Sequence, residues 1–191
     1  LHFSKNNSNS TASFRGLSVV DNRTAWVSGT KESVGITTDG GKTWNIQRIP
    51  GFEELDFRSL YAFRNERVII ANAGSPAHIL ITTNGGKSWK TVYTNNQKDA
   101  FFDGIDFWDD QNGLIYGDPI EGKMLLLRTS DGGLSWNPVK EPPMLETGEA
   151  SFAASGTGIR CTNKKSVVIC TGGTVSRLWI SDNQGEHWEN L

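Results

Sequence analysis

The chain has 191 residues, enough for one ordinary domain, with seven Trp and nine Phe to build a core and 21 Gly to build turns. Nineteen Lys and Arg against 21 Asp and Glu leave a net charge of −2, which gives no electrostatic case for nucleic acid or an anionic membrane surface. No apolar run is long enough to span a bilayer as a helix, and no stretch sustains a helical period.

Residues 1–13 are polar and read as a leader. Four similar units follow, at about 14–50, 57–95, 102–140 and 155–191. Three open alike: Phe14-Arg15-Gly16-Leu17, Phe57-Arg58-Ser59-Leu60 and Phe102-Asp103-Gly104-Ile105. The fourth opens more loosely, at Ser155-Gly156-Thr157-Gly158-Ile159. Each opening runs into a polar turn, then into an apolar strand that ends near glycine, such as Trp26 to Gly29 or Leu114 to Gly117. A third apolar run then leads into a box of hydroxyl, acid or amide, glycine and tryptophan. Turn signals every ten or so residues, between short β-branched and aromatic runs, predict an all-β fold with four strands per unit.

The boxes end on Trp44, Trp89, Trp136 and Trp188, at steps of 45, 47 and 52 residues. Asp39, Asn84, Asp131 and Asn183 can accept hydrogen bonds from main-chain N–H groups just ahead and close a tight turn. Gly41, Gly86, Gly133 and Gly185 supply backbone conformations that a side chain forbids. The box is thus a self-capping hairpin with a structural role. The two Asn copies agree, because Asn keeps the turn and loses the charge that catalysis or a metal needs.

This box is the Asp-box, or BNR repeat, and through it the chain resembles sialidases, sortilin-like propellers and, most closely, the photosystem II stability/assembly factor-like propellers and their bacterial relatives. The resemblance runs from Phe14 to Trp188. Its best markers are Leu17-Ser18-Val19-Val20 with Ala25-Trp26-Val27-Ser28-Gly29, and Phe101-Phe102-Asp103 with Gly117-Asp118-Pro119. It implies a β-propeller of four-stranded blades; the four here either close on themselves into a small propeller or, as the resemblance favours, form part of a larger ring of about six to eight blades. Blades cut from a larger ring would self-associate through exposed apolar faces.

In a propeller, the loops between blades share a face with the loops joining second and third strands, and the boxes lie at the opposite end. That puts the functional face at residues 48–57, 93–102 and 138–155, with the shorter segments 29–33, 74–78, 117–123 and 172–176. The residues just inside each opening Phe should converge on the axis. Arg15, Arg58, Asp103 and Asp118 are therefore the candidate ligand-binding residues, a mixed-charge ring able to hold a carboxylate or a sugar hydroxyl.

A sialidase would need an arginine triad, a tyrosine nucleophile with its carboxylate partner and an acid/base Asp. Here Arg15 and Arg58 occupy equivalent blade positions but the third equivalent is Asp103, and Tyr61, Tyr93 and Tyr116 lack a partner motif. Asp109-Asp110-Gln111-Asn112-Gly113 looks like part of a calcium loop but lacks the downstream acid. His2, His78 and His187 are scattered, the paired glycines belong to turns, and no cofactor motif is present, so neither a metal nor a cofactor is expected. Cys161 and Cys170 stand where the first unit has Val19 and Val27, which predicts cross-strand neighbours and, in an oxidising compartment, a hairpin disulfide. The expected function is a non-enzymatic, extracytoplasmic scaffold presenting its loop face to a protein or glycan. The alternative is a glycoside hydrolase working with carboxylates at the axial mouth, among Asp103, Asp118, Glu121, Glu146 and Glu149.

Overall fold

A computed structural model describes residue 8 and residues 10–191. The sequence reading of residues 1–13 as a leader therefore lies largely outside the described residues. Within them, Ser13 is tied to Thr30: its N–H donates to Thr30 Oγ1 at 2.8 Å and its carbonyl accepts from Thr30 N–H at 3.1 Å.

Four four-stranded antiparallel sheets follow one another, and no helix occurs among the described residues. The first blade contains β1 (Phe14–Val19), β2 (Ala25–Gly29), β3 (Ser33–Thr37) and β4 (Asn45–Arg48). The second contains β5 (Asp56–Ala62), β6 (Val68–Ala73), β7 (Ala77–Thr82) and β8 (Lys90–Asn95). The third contains β9 (Phe102–Phe107), β10 (Gly113–Ile120), β11 (Lys123–Thr129) and β12 (Asn137–Pro138). The long connection that follows carries β13 (Glu149–Ala150). The fourth blade then contains β14 (Ile159–Thr162), β15 (Ser166–Cys170), β17 (Leu178–Ser181) and β18 (Glu189–Asn190), and its β16 (Gly172–Gly173) pairs back with β13. In every blade the strands lie in chain order, a meander, and the inner strands β1, β5, β9 and β14 are successive neighbours. This is a β-propeller arrangement.

The cores lie between blades, because successive side chains of a strand face opposite sides of its sheet. Trp26 and Val34 of the first blade pack on Phe57, Leu60, Ile70 and Leu80 of the second. Ile69, Ile79 and Ile81, on the second blade's other face, meet Phe102, Ile105, Phe107, Leu127 and Trp136 of the third. Leu114, Tyr116 and Leu126 then meet Ile159, Val167, Ile169 and Trp179 of the fourth. Each large apolar side chain so buried contributes roughly 1.5–3 kcal/mol.

The boxes are built alike. Thr37, Thr82, Thr129 and Ser181 are buried, and their hydroxyls accept the N–H of Gly41, Gly86, Gly133 and Gly185 at 2.9, 3.0, 2.9 and 2.9 Å. Asp39, Asn84, Asp131 and Asn183 accept the N–H four residues on, at 2.9–3.0 Å. All four box glycines have φ between 81° and 86°, the left-handed region. A Cβ on Gly133 would also run into Ile69 of the preceding blade.

The expectation for the cysteines is corrected. Cys161 pairs across the hairpin with Val167, and Cys170 pairs on its other side with Leu178. Cys161 packs toward the third blade, whereas Cys170 is exposed on the opposite face, and both are free thiols. The error was one of register. In the first blade Val19 faces Ala25 and Val27 faces Leu17, so the two template positions are not cross-strand partners either.

Candidate functional site

Three of the four candidate ligand-binding residues form one group where the inner strands begin. Arg58, on β5, is partly exposed and donates through Nε to Asp56 Oδ2 at 2.7 Å, and its guanidinium carbon lies 6.0 Å from the centre of the Phe101 ring. Phe101 leads into β9, and its carbonyl accepts the N–H of Asp118 at 3.3 Å. A Cβ on Gly117 would strike that same carbonyl, so only glycine lets the third blade's second strand approach so closely. Asp118 is half-buried and accepts the N–H of Ser151 at 3.1 Å. Arg15, on β1, is exposed and makes no ion pair among the described residues.

Asp103 is different in kind. It is 1% exposed, and neither carboxyl oxygen has a partner in hydrogen-bond geometry. Burial, reinforced by the charge of Asp118 and only partly offset by Arg58 and by the nearby main chain of Ala153 and Asp118, pushes its pKa up to about 8. At neutral pH it is therefore chiefly a neutral acid. Burial also raises Asp118, against the hydrogen bond from Ser151. Tyr116, fully buried, completes the group. Its hydroxyl has no partner in hydrogen-bond geometry and is raised by burial, then by Asp103. Gly104 and Gly158 leave the space its ring and hydroxyl occupy. Sequence reasoning passed over Tyr116 as a residue of the mouth, although its alternation with Ile115 on β10 places it opposite the second-blade core.

The long connection between the third and fourth blades is anchored firmly. Glu149 is buried and accepts from Arg177 at 3.1 Å, from Trp179 Nε1 at 3.3 Å, from Glu146 N–H at 3.0 Å and from the Thr171 hydroxyl. Burial alone would raise its pKa, but these hydrogen bonds and the Arg177 charge outweigh it and leave the carboxyl lowered. Arg177 also pairs with Glu146. Two residues on, Ser151 Oγ donates to the Gly117 carbonyl at 3.4 Å. On either side of these ties the segment projects Met144 and Phe152, each 55% exposed. Nothing in the sequence marks Glu149 and Arg177, 28 residues apart, as partners.

The other acids of the sequence reading do not join this group. Glu121 is exposed at a tight turn with φ of 53°, and Glu146 and Glu149 are both held by Arg177. Asp109 Oδ1 is occupied by the N–H groups of Gln111 and Asn112, at 2.7 and 2.8 Å, so the stretch that looked like a calcium loop is a hairpin turn. Among the described residues no group of three or more His, Cys, Asp or Glu is placed to hold a metal ion. At the opposite end, Asp39 is held down to about 2 by the Thr43 hydroxyl and N–H, so its charge serves the turn.

A sequence model of a family described as photosynthesis system II assembly factor YCF48 matches residues 4–99. No curated protein matches the sequence. Among solved structures, a YCF48 bound to D1 peptide is 15% identical, with a TM-score of 0.56 over 94% of this chain and 82% of that one. YCF48 from Cyanidioschyzon merolae is 14% identical with a TM-score of 0.65, and 94% of this chain covers 56% of its length. A GH74 xyloglucanase from Xanthomonas campestris is 15% identical with a TM-score of 0.58, over 85% of this chain and 26% of that one. At these identities the likeness to the structures is one of fold.

Proposed function

This chain belongs to the photosynthesis system II assembly factor YCF48 family, and from that premise we propose that it is a non-catalytic scaffold whose loop face binds an extended peptide of a protein partner. The observation that carries the reading is the make-up of that face. Arg58 with Phe101, and the exposed Phe152 on a segment fixed at Glu149 and Ser151, offer a cation and aromatic surface on a rigid support. Aromatic and Arg side chains held in place are what binding hot spots are made of. A YCF48 of the same fold has been solved bound to D1 peptide, which supports a peptide as the ligand class.

The hydrolase alternative is less well supported. It needs two carboxyls presented to one glycosidic bond. Asp103 is buried beneath the mouth, and Asp118 is engaged by the Ser151 N–H. A glycan bound without hydrolysis is the remaining alternative ligand.

Selection from a displayed random-peptide library, followed by affinity measurement of an enriched peptide, tests the proposal. Arg58→Ala and Phe152→Ala should each weaken binding by about tenfold or more, the scale of a hot-spot loss of about 1.4 kcal/mol. Lys42→Ala and Lys87→Ala, at the boxes, should leave it unchanged. Failure to enrich any peptide, or loss confined to the box variants, would contradict it.

A further inference from the structure

The buried acid of the mouth is closed off by one short piece of chain. Asp103 is shut away beside Ser151 and Ala153, which are themselves buried. The main chain of Ala153 lies near enough to favour the Asp103 charge, yet neither carboxyl oxygen gains a partner in hydrogen-bond geometry. The groups that face this carboxyl come from the strands around it. Arg58 approaches from β5, and Asp118 and Tyr116 from β10. On β15, Cys170 reaches Tyr116, and on β14, Arg160 is turned to Asp106 at 3.9 Å. The covering piece brings no titratable side chain, since residues 150–158 are Ala, Ser, Phe, Gly and Thr.

This cover is held unevenly. Upstream, Glu149 and Ala150 pair with Gly173 and Gly172, and Ser151 is tied to Asp118 through its N–H and to Gly117 through its hydroxyl. Downstream, the Gly158 carbonyl accepts the Cys170 N–H at 2.9 Å. Between these points, Phe152 to Thr157 make no hydrogen bond between main-chain groups among the described residues. A Cβ on Gly156 would meet nothing within 4 Å. The one large side chain is the exposed Phe152, whose ring lies so close to Gly172 that a Cβ there would come within 2.9 Å of it. A stretch with few main-chain bonds and little buried apolar surface opens locally at low cost. A carboxyl buried without partners is tolerated when neutral and costly when ionised, and lifting the cover brings it water. Ser151 stays in place, because an ionised Asp118 binds its N–H more strongly.

We propose that residues 152–157 form a proton-controlled strap, hinged at Ser151, that is closed over Asp103 while this carboxyl is neutral and released when it ionises. Release carries Phe152 off Gly172 and opens the third blade's end of the mouth to water. The strap is a property of the fold itself. Its consequence for a peptide, weaker binding as pH rises, rests on the reading of the loop face given above. The sign follows from linkage. With the strap closed the carboxyl titrates at about 8, and hydration returns it toward the ordinary value of 3.8. The ratio of open to closed strap therefore rises about tenfold per pH unit between about pH 4 and 8 and levels off above that.

Fluorine NMR of the whole chain labelled with 4-fluorophenylalanine tests the strap without any peptide, with Phe152→Leu identifying the Phe152 resonance. In a titration from about pH 5 to 9, that resonance should move toward its position in the unfolded chain or give way to a second one there. Asp103→Asn, which cannot ionise, should keep the acid-side position throughout. Asp118→Asn, which removes the like charge, should lower the open fraction reached at the alkaline end, and it repeats the test should Asp103→Asn fail to fold. A parent resonance that stays fixed, one that moves equally in Asp103→Asn, or an open fraction unaltered by Asp118→Asn would overturn the proposal. A strap that responds in this way, with a selected peptide whose affinity does not change with pH, would uphold the strap and count against the reading of the loop face.

Discussion

Thr82→Val isolates what the box contributes. The Thr82 side chain is 1% exposed, and its hydroxyl accepts from the buried Gly86 N–H at 3.0 Å while donating to Asn84 Oδ1 at 3.0 Å. Valine keeps the shape and removes both bonds. The Gly86 N–H is then left buried without an acceptor, against Trp26 and the Gln47 side chain. An unsatisfied buried donor costs about 1–3 kcal/mol, so a loss of about 2 kcal/mol is expected. For a chain of this size that corresponds to a fall in Tm of about 4–8 °C. Urea unfolding followed by tryptophan fluorescence should show a lower midpoint at an unchanged slope. The exposed Lys87→Ala should stay within about 0.5 kcal/mol of the parent. Asn84→Ala in the Thr82→Val background should cost less than it does alone, because the two groups belong to one network. A Thr82→Val variant that melts with the parent yet loses peptide binding would refute a structural box.

Trp136→Ala, which empties the core between the second and third blades, should cost about 3–5 kcal/mol in the same assay. Asp103→Asn should change the pH dependence of stability. The folded pKa, about 8, lies above the unfolded value of 3.8, so the parent's stability is fullest below pH 4 as far as this group is concerned and falls as pH rises from 4 to 8. The variant should lose that slope and gain on the order of a few kcal/mol at pH 8, where a parent-like profile would contradict the reasoning. Glu149 acts oppositely: its folded pKa is lowered, so its contribution is lost as pH falls through the acid range, and Glu149→Gln should flatten the acid limb of the profile. Intact mass measured without reductant should show two thiols. Maleimide should label Cys170 readily and Cys161 slowly, because burial raises the Cys161 pKa and hides its thiol, and an intramolecular disulfide would contradict the register.

The repeat made the fold readable because each box carries its own turn chemistry, with hydroxyl, acid or amide and glycine all local in sequence. What is set by packing between strands was harder to read. Cys161 and Cys170 were misjudged because a short polar turn fixes that a hairpin forms but not which residues face each other. The third step of 52 residues marked the insertion before the fourth blade. That Glu149 and Arg177 pin it and that β13 pairs with β16 depends on long-range contacts no local pattern encodes. At the mouth, the position after each opening Phe pointed to Arg58 and Asp103; in the structure Asp103 lies within electrostatic reach of both Arg58 and Asp118, while Arg15 stands exposed. The same blade position is partly exposed in β5 and buried in β9, because the Ser151–Ala153 segment covers only the third blade's end of the mouth.

Hydrogen exchange of the chain with and without a selected peptide tests the central assignment most directly, since it reports every main-chain amide at once. The account predicts protection at residues 48–57, 93–102 and 138–155 and unchanged exchange in the four box turns. Protection centred on Gly41, Gly86, Gly133 and Gly185, with the loop face unaltered, would contradict it.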